Sequence, residues 1–278
     1  MKVMKNSFGR LHLFEFHDKY WCPQIFRNMM QEILLYLEKK WDSYELSYPL
    51  VKKVCQLVGT NQIIELCAGG SDGTLQKKLE ELNFPNKLTL TDLFPNISAW
   101  KKIAHDNNNV HYIENSIDAI NFSEELFGVK IIYTGFHHFK PSLARQFLQN
   151  IINKKDSICS FEMTVPSFMG IFGTLMSPLA TLVWRPKCTR SSKKRFFWTY
   201  IVPVFLVLQL FDGLVSIMRT YRPKHVYKLI NNLRNSNSYI WHVGFLSNSV
   251  IDKEESLIVP KKPINSSIIY LLGYPKTC

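Results

Sequence analysis

One short stretch constrains the fold more than any other. Ile63-Ile64-Glu65-Leu66-Cys67-Ala68-Gly69-Gly70-Ser71-Asp72-Gly73-Thr74 runs two apolar residues into an acid, then small residues and glycines, then a helix-like run over 75–82. This pattern reads as a buried strand, a tight turn and a helix N-terminus. The turn carries little side chain, so a ligand can approach its backbone, and the helix start offers unpaired N–H groups. It suits a nucleotide-like cofactor, although many strand–glycine–helix turns bind nothing.

The unit then repeats. Residues 87–91 read as a strand ending at Asp92, with a helix from 97 to 105; an acid there can take both hydroxyls of a ribose or simply cap the helix. Further strands are expected at 110–114, with Asn115-Ser116-Ile117-Asp118-Ala119 after it, and at 129–134, which runs into Gly135-Phe136-His137-His138-Phe139. A helix over 142–153 and a strand over 157–161, ending at Glu162, follow. A helix over 224–234 and strands over 239–245 and 267–273, joined by a polar loop over 247–265, close the chain; the last pair can form an antiparallel hairpin. Strands alternating with helices predict an α/β fold: a doubly wound seven-stranded sheet with helices on both faces and a closing antiparallel hairpin. Ligands of such sheets lie beyond the carboxyl ends of the strands, where Glu65, Asp92, Asp118, His137 and Glu162 all fall.

Residues 1–59 read as a helical cap. From 23 to 37, Phe26, Met29, Met30, Ile33, Leu34 and Leu37 share one helical face, a stripe expected in the core, with Pro23 in the first turn. A second helix is expected over 47–58, stopped by Gly59. Between 15 and 23, the aromatic and polar residues form either a lip over a pocket or a staple for the helix entry; Trp21 suits the staple, and Tyr20 and Asp18 remain open.

Residues 165–222 interrupt the α/β pattern. Two apolar runs, 168–184 and 196–211, flank 185–195, which holds six basic residues in eleven. Three readings are open: a lid buried over substrate, two membrane-spanning helices, or an in-plane membrane anchor. The first run carries Gly170, Gly173 and Pro178, the second is short and contains Pro203, and a hairpin of two spans would carry the basic loop across the membrane. The in-plane anchor is favoured, with the basic run among anionic head groups and Trp184, Trp198 and Tyr200 at the interface. This run supplies half of the net charge of +12, so the charge argues little for nucleic acid. The six cysteines are scattered without metal-ligand spacing, and no secretory core follows the basic start, so a reducing, cytoplasmic location at the inner face of a membrane is expected.

Over 60–164 and 223–278 the chain resembles class I S-adenosylmethionine-dependent methyltransferases. The family's G-x-G-x-G turn reads Cys67, Gly69 and Ser71 here. The resemblance implies S-adenosyl-L-methionine as cofactor, with Glu65, Cys67, Ala68, Gly69, Gly70 and Ser71 at its methionine moiety, Asp92 at the ribose, Asp118 and Ala119 at the adenine, and Thr134 nearby. His137 and His138 look like the His-His segment of small-molecule methyltransferases, and either could serve as base; alternatively one packs and the other caps the next helix. Tyr20 and Glu162 are substrate-side candidates, and no metal is called for. The expected acceptor is hydrophobic or lipid-like, the expected partner an anionic membrane surface, and nucleic acid is not expected. Two other readings stand beside this one: a non-catalytic methyltransferase-like scaffold at the membrane, motivated by Cys67 and Ser71, and a nicotinamide-dependent oxidoreductase, disfavoured because G-x-G-x-x-G is incomplete.

Overall fold

The computed structural model describes residues 10–40, 42–188, 192–246 and 268–276. The start of the chain, residues 189–191 of the basic run and the 247–265 loop lie outside the described residues. In chain order the elements are α1 (Gln24–Lys40), α2 (Tyr48–Leu57), β1 (Gln62–Glu65), α3 (Thr74–Glu81), β2 (Lys87–Leu90), α4 (Ile97–Asp106), β3 (Val110–Tyr112), β4 (Val129–Tyr133), α5 (Pro141–Asn153), β5 (Ile158–Glu162), α6 (Phe168–Cys188), α7 (Lys193–Phe196), α8 (Val204–Arg219), α9 (Pro223–Ile230), β6 (Tyr239–Phe245) and β7 (Ile269–Pro275). Pro23 falls just before α1, where its carbonyl accepts from Phe26 N–H at 3.0 Å.

The sheet order is β3-β2-β1-β4-β5-β7-β6. All pairs from β3 to β5 are parallel, and β7 runs antiparallel between β5 and β6. The closing hairpin therefore inserts its last strand into the sheet. Alternation along each strand builds two cores. Ile63, Leu88, Ile131 and Phe161 pack against Val54 of α2, Leu79 of α3 and Trp100 of α4. Ile64, Ile132, Ile158 and Leu271 pack on the other face against Phe147 and Ile151 of α5 and Leu229 of α9. Strands buried on both faces explain their near-continuous apolar sequence.

The chain reverses its winding between β1 and β4, and there the two strand ends approach closely. A Cβ on Gly135 would lie 2.8 Å from Ile132 Cγ2 and 3.0 Å from Cys67 Cβ, so only glycine lets these two turns meet. This switch point opens a crevice at the carboxyl ends of the strands.

The insertion is three-part. α6 packs on α8 through small residues: a Cβ on Gly213 would meet Thr174 Cγ2 at 2.8 Å, and Thr181 donates to Gln209 Oε1 at 2.9 Å inside the contact. The second apolar run is broken: α7 passes into a π turn over 197–201, then Pro203 starts α8 at a bend of 73°. Among the described residues no single helix is long and apolar enough to cross a membrane, and only this bent pair has the length and composition together. The ends of the insertion meet, with Thr164 and Thr220 sharing a hydroxyl hydrogen bond at 2.6 Å.

The α1 stripe is core only in part: Leu34 is exposed toward the cavity, and Phe26 and Leu37 are partly buried. Met29, Met30 and Ile33 are buried with Phe205 of α8. The cap and the insertion are thus packed on one another beside the switch point.

Candidate active site

The strand ends, α1, α6 and α8 enclose a cavity of about 1380 Å³. A drug-sized ligand typically fills roughly 300–1,000 Å³, so a nucleotide-sized molecule leaves room for a second one. Its wall has two characters. Glu65, Cys67, Gly69, Gly70, Ser71, Asp92, Asp118 and Ala119 form a polar side, and Met30, Leu34, Met163, Met169, Met176 and Ile217 an apolar one.

The glycine-rich turn keeps its shape despite its substitutions. Cys67 takes φ +57°, the left-handed conformation a glycine would supply, at a cost on the order of 1–2 kcal/mol. Ser71 donates its hydroxyl to Glu65 Oε2 at 2.9 Å. Neither replacement blocks the turn, and Ala68 lies beneath it, its N–H donating to Thr91 O at 2.9 Å. Gly69 and Gly70 face Gln31 of α1; a Cβ on Gly69 would fall 2.2 Å from Gln31 Nε2. The cap helix therefore crosses directly over the turn. Lys39 of α1 pairs with Asp72, which fastens it there.

Asp92 does not cap α4, whose cap position is Asn96. Its Oδ2 accepts from Gly69 N–H at 2.8 Å and its Oδ1 from Phe94 N–H at 2.7 Å. Burial pushes its carboxyl up, against those two backbone donors. Glu65 is buried and pushed up to about 8 by that burial, with Glu38, Asp72 and Asp92 adding to it and Ser71 opposing. Asp118 is exposed at the rim; its oxygens accept from Ile120 N–H and Asn121 Nδ2 at 2.9 Å. Thr134 takes φ +45°, rare for a β-branched residue, and is held by hydroxyl bonds with Tyr44 and from Met163 N–H.

His137 and His138 stand in a short turn after β4, and neither caps α5, whose cap position Lys140 offers no side-chain bond. His137 is buried, and its Nδ1 lies 2.7 Å from Glu162 Oε2; Glu162 Oε1 also accepts from Phe136 and His137 N–H at 2.6 and 3.2 Å. Glu162 is thus spent behind His137 and is not part of the cavity wall, which departs from its expected place beside substrate. His137 Nε2 has no hydrogen bond among the described residues. Tyr20 likewise stands outside the wall: it is 80% exposed, edge-on to Phe94. Trp21 is also exposed and packs edge-on against Phe16, so it is not a staple for α1.

Sequence reading left Asp18 open within the 15–23 segment and gave that segment no partners. Glu15, His17 and Asp18, from the segment before α1, meet His138 and Arg219, the last residue of α8. Arg219 Nη1 lies 3.0 Å from Glu15 Oε1 and 2.7 Å from Asp18 Oδ2, and its Nη2 donates to His138 O at 2.7 Å. Burial pulls His138 down, but Asp18 and Glu15 outweigh it and push the imidazole up to about 9. Arg27 and Gln31 were missed. Arg27 donates to His17 O at 3.0 Å and lays its guanidinium on Phe94. Their spacing of four on one helical face was the available signal.

The strand order, the glycine turn at the switch point and the strand-end acids define the fold of class I S-adenosylmethionine-dependent methyltransferases. Among solved structures, the chain is similar to the plantazolicin methyltransferase BpumL in complex with a triazolic desmethylPZN analog and SAH, at 16% identity and a TM-score of 0.53 over 91% of this chain and 97% of that one. It is also similar to the plantazolicin methyltransferase BamL in complex with the same analog and SAH, at 13% identity and a TM-score of 0.51 over 91% and 98%. No family model matches the chain, and no curated protein matches it. At these identities the likeness establishes the fold.

Proposed function

We propose that the chain is a methyltransferase that moves the methyl group of S-adenosylmethionine to a hydrophobic small molecule. The observation that carries this reading is one cavity with a polar wall of strand-end acids and an apolar wall shared by α1 and the insertion. Asp92 would hold the ribose, Asp118 and Ala119 the adenine, and Glu65 with the 67–71 backbone the amino-acid end. A sulfonium is already a strong methyl donor, so the protein has chiefly to align the acceptor and exclude water. Where the acceptor must lose a proton, His137 is placed to take it: Glu162 holds Nδ1, which leaves Nε2 as the free nitrogen. Cys67 and Ser71 leave the loop open, which supports cofactor binding; turnover separates this reading from a non-catalytic scaffold. A titration with S-adenosylmethionine tests the proposal, followed by labelled methyl transfer to apolar extracts; absence of any calorimetric binding would sink it, and binding of NAD instead would favour the oxidoreductase.

We propose further that the insertion rests on an anionic membrane surface. Its inner side lines the cavity with Gly173, Thr174, Ser177 and Ala180, while Phe168, Ile171, Phe172, Leu175, Leu179 and Val183 form an exposed stripe on α6, with Phe168 81% exposed. Phe196, Phe197, Ile201 and Val207 extend the apolar surface. Apolar patches of this kind on a monomer mark contact sites, and the neighbouring basic run favours anionic lipid. The lid and anchor readings thus combine: one helix closes the cavity and faces the bilayer. The chain should sediment with phosphatidylcholine vesicles containing phosphatidylglycerol. Changing Phe172 and Leu179 together to glutamate should cut that binding by on the order of a hundredfold, since each buried side chain contributes about 1.5–3 kcal/mol. Equal sedimentation of the double variant would refute the anchor.

A further inference from the structure

We propose that Glu15, His17, Asp18 and His138 form a binding site for one divalent transition-metal ion in the cavity wall. One ligand atom from each lies within 4.8 Å of all the others. His138 Nδ1 is 2.8 Å from Asp18 Oδ1 and 3.4 Å from Glu15 Oε2, and His17 Nε2 is 3.3 Å from Glu15 Oε2. A metal about 2.1 Å from each ligand sets its ligands roughly 3–4 Å apart; the 3.3 and 3.4 Å pairs fall in that range, and the 2.8 Å pair would open slightly.

Without a metal, His138 Nδ1 is hydrogen-bonded and ion-paired to Asp18 Oδ1. Glu15 is 0% exposed, and its Oε2 has no hydrogen-bond donor among the described residues, only the longer ion pairs to His17 and His138. A buried carboxylate oxygen without a donor calls for a partner, and this one faces both imidazoles.

The surroundings orient the ligands. Asp212 Oδ2 lies 2.8 Å from His17 Nδ1 and its oxygens accept from Phe16 and His17 N–H at 2.8 and 3.2 Å, so Nε2 carries the lone pair that faces Glu15. Arg219 and Ser216 occupy Glu15 Oε1, and Arg219 occupies Asp18 Oδ2. Each carboxylate therefore spends one oxygen on its support and leaves the other toward the imidazoles. A carboxylate behind a ligating histidine is the usual means of fixing its tautomer and raising its basicity. Charge agrees. Glu15, Asp18, Asp212 and Glu162 supply four negative charges, and Arg219 with Arg10, which donates to His137 O and Phe139 O, supplies two positive ones. Counting Arg27, which donates to His17 O, the surroundings stay acidic on balance, and a bound cation would displace the proton that Asp18 and Glu15 favour on His138. Two imidazole nitrogens with two carboxylate oxygens suit zinc, manganese, iron or cobalt better than magnesium. The inference stands apart from the proposed methyl transfer, because the four residues need no cofactor to meet.

The test uses the full chain without a histidine tag, stripped with a chelator and titrated with zinc and with cobalt. One equivalent should bind, with a raised melting temperature, and cobalt should give the visible absorption of a nitrogen–oxygen site. His17→Gln and Glu15→Gln should each weaken binding at least about tenfold, and Asp212→Asn should do so without removing a ligand. His111→Gln, an exposed histidine on β3, should change nothing. Far-UV circular dichroism and the thermal melt of each stripped variant confirm that it folds; should His17→Gln fail to fold, His138→Gln replaces it. No binding of either metal to the stripped chain, or equal binding by His17→Gln and the natural chain, would overturn the site.

Discussion

An Asp92→Ala variant is expected to bind S-adenosylmethionine at least about a hundredfold more weakly than the natural chain, measured by calorimetry. A carboxylate offers about four lone-pair positions. Gly69 and Phe94 N–H take one on each oxygen, which leaves one on each for the two hydroxyls of a ribose. Hydrogen bonds to a charged group are each worth about 1.5–3 kcal/mol. Alanine removes both and also orphans Gly69 N–H, which lies directly under Gln31. Asp92→Asn keeps one acceptor oxygen and should lose less. Unchanged affinity in Asp92→Ala would mean that the ribose, and with it the cofactor, has been placed wrongly.

The second large effect is a proton. Burial raises Glu65 from an ordinary value of 4.5 to about 8, so the folded chain holds a proton there that the unfolded chain has released. Stability from this group is therefore greatest below pH 4.5 and is lost as pH rises toward about 8, at up to about 1.4 kcal/mol per pH unit; above that it is level. An ammonium group bound beside Glu65 would favour the carboxylate and drive the proton off. Binding of S-adenosylmethionine near pH 6.5 should thus release up to about one proton, seen as a binding enthalpy that varies with the ionisation enthalpy of the buffer. The release should vanish above pH 9 and in Glu65→Gln. Glu38 is also raised to about 8, by burial and then Asp72, so Glu38→Gln is the needed control and should keep the release. Release that persists in Glu65→Gln and disappears in Glu38→Gln would move the ammonium to the other acid.

The central strands were legible in this chain because β1, β4 and β5 are short, largely apolar runs that end at or just before an acid or a glycine. The switch point was not read from the sequence, which shows where strands end but not the order in which they lie side by side. What spacing concealed was the meaning of Cys67 and Ser71. As letters they are departures from glycine; as backbone, Cys67 takes the glycine conformation and Ser71 answers Glu65. The segment over 15–23 read as either a lip or a staple, and Asp18 and His17 line the cavity. Its partners were out of reach, since Asp212 and Arg219 follow it by about two hundred residues and nothing local announces the pairing. Glu162 was misplaced because position at a strand end reveals nearness to the crevice, but not which neighbour consumes the carboxylate.

The hydroxyl bond between Thr164 and Thr220 has a consequence for how such a protein can change over generations. A segment that departs and returns at one point can be traded for another of different length without disturbing the sheet. What limits the exchange is the last stretch of α8, because Asp212, Ser216 and Arg219 hold the opening segment of the chain. The replaceable portion therefore ends just before Asp212. A lineage could renew the apolar wall of the cavity there while inheriting the strand-end side intact.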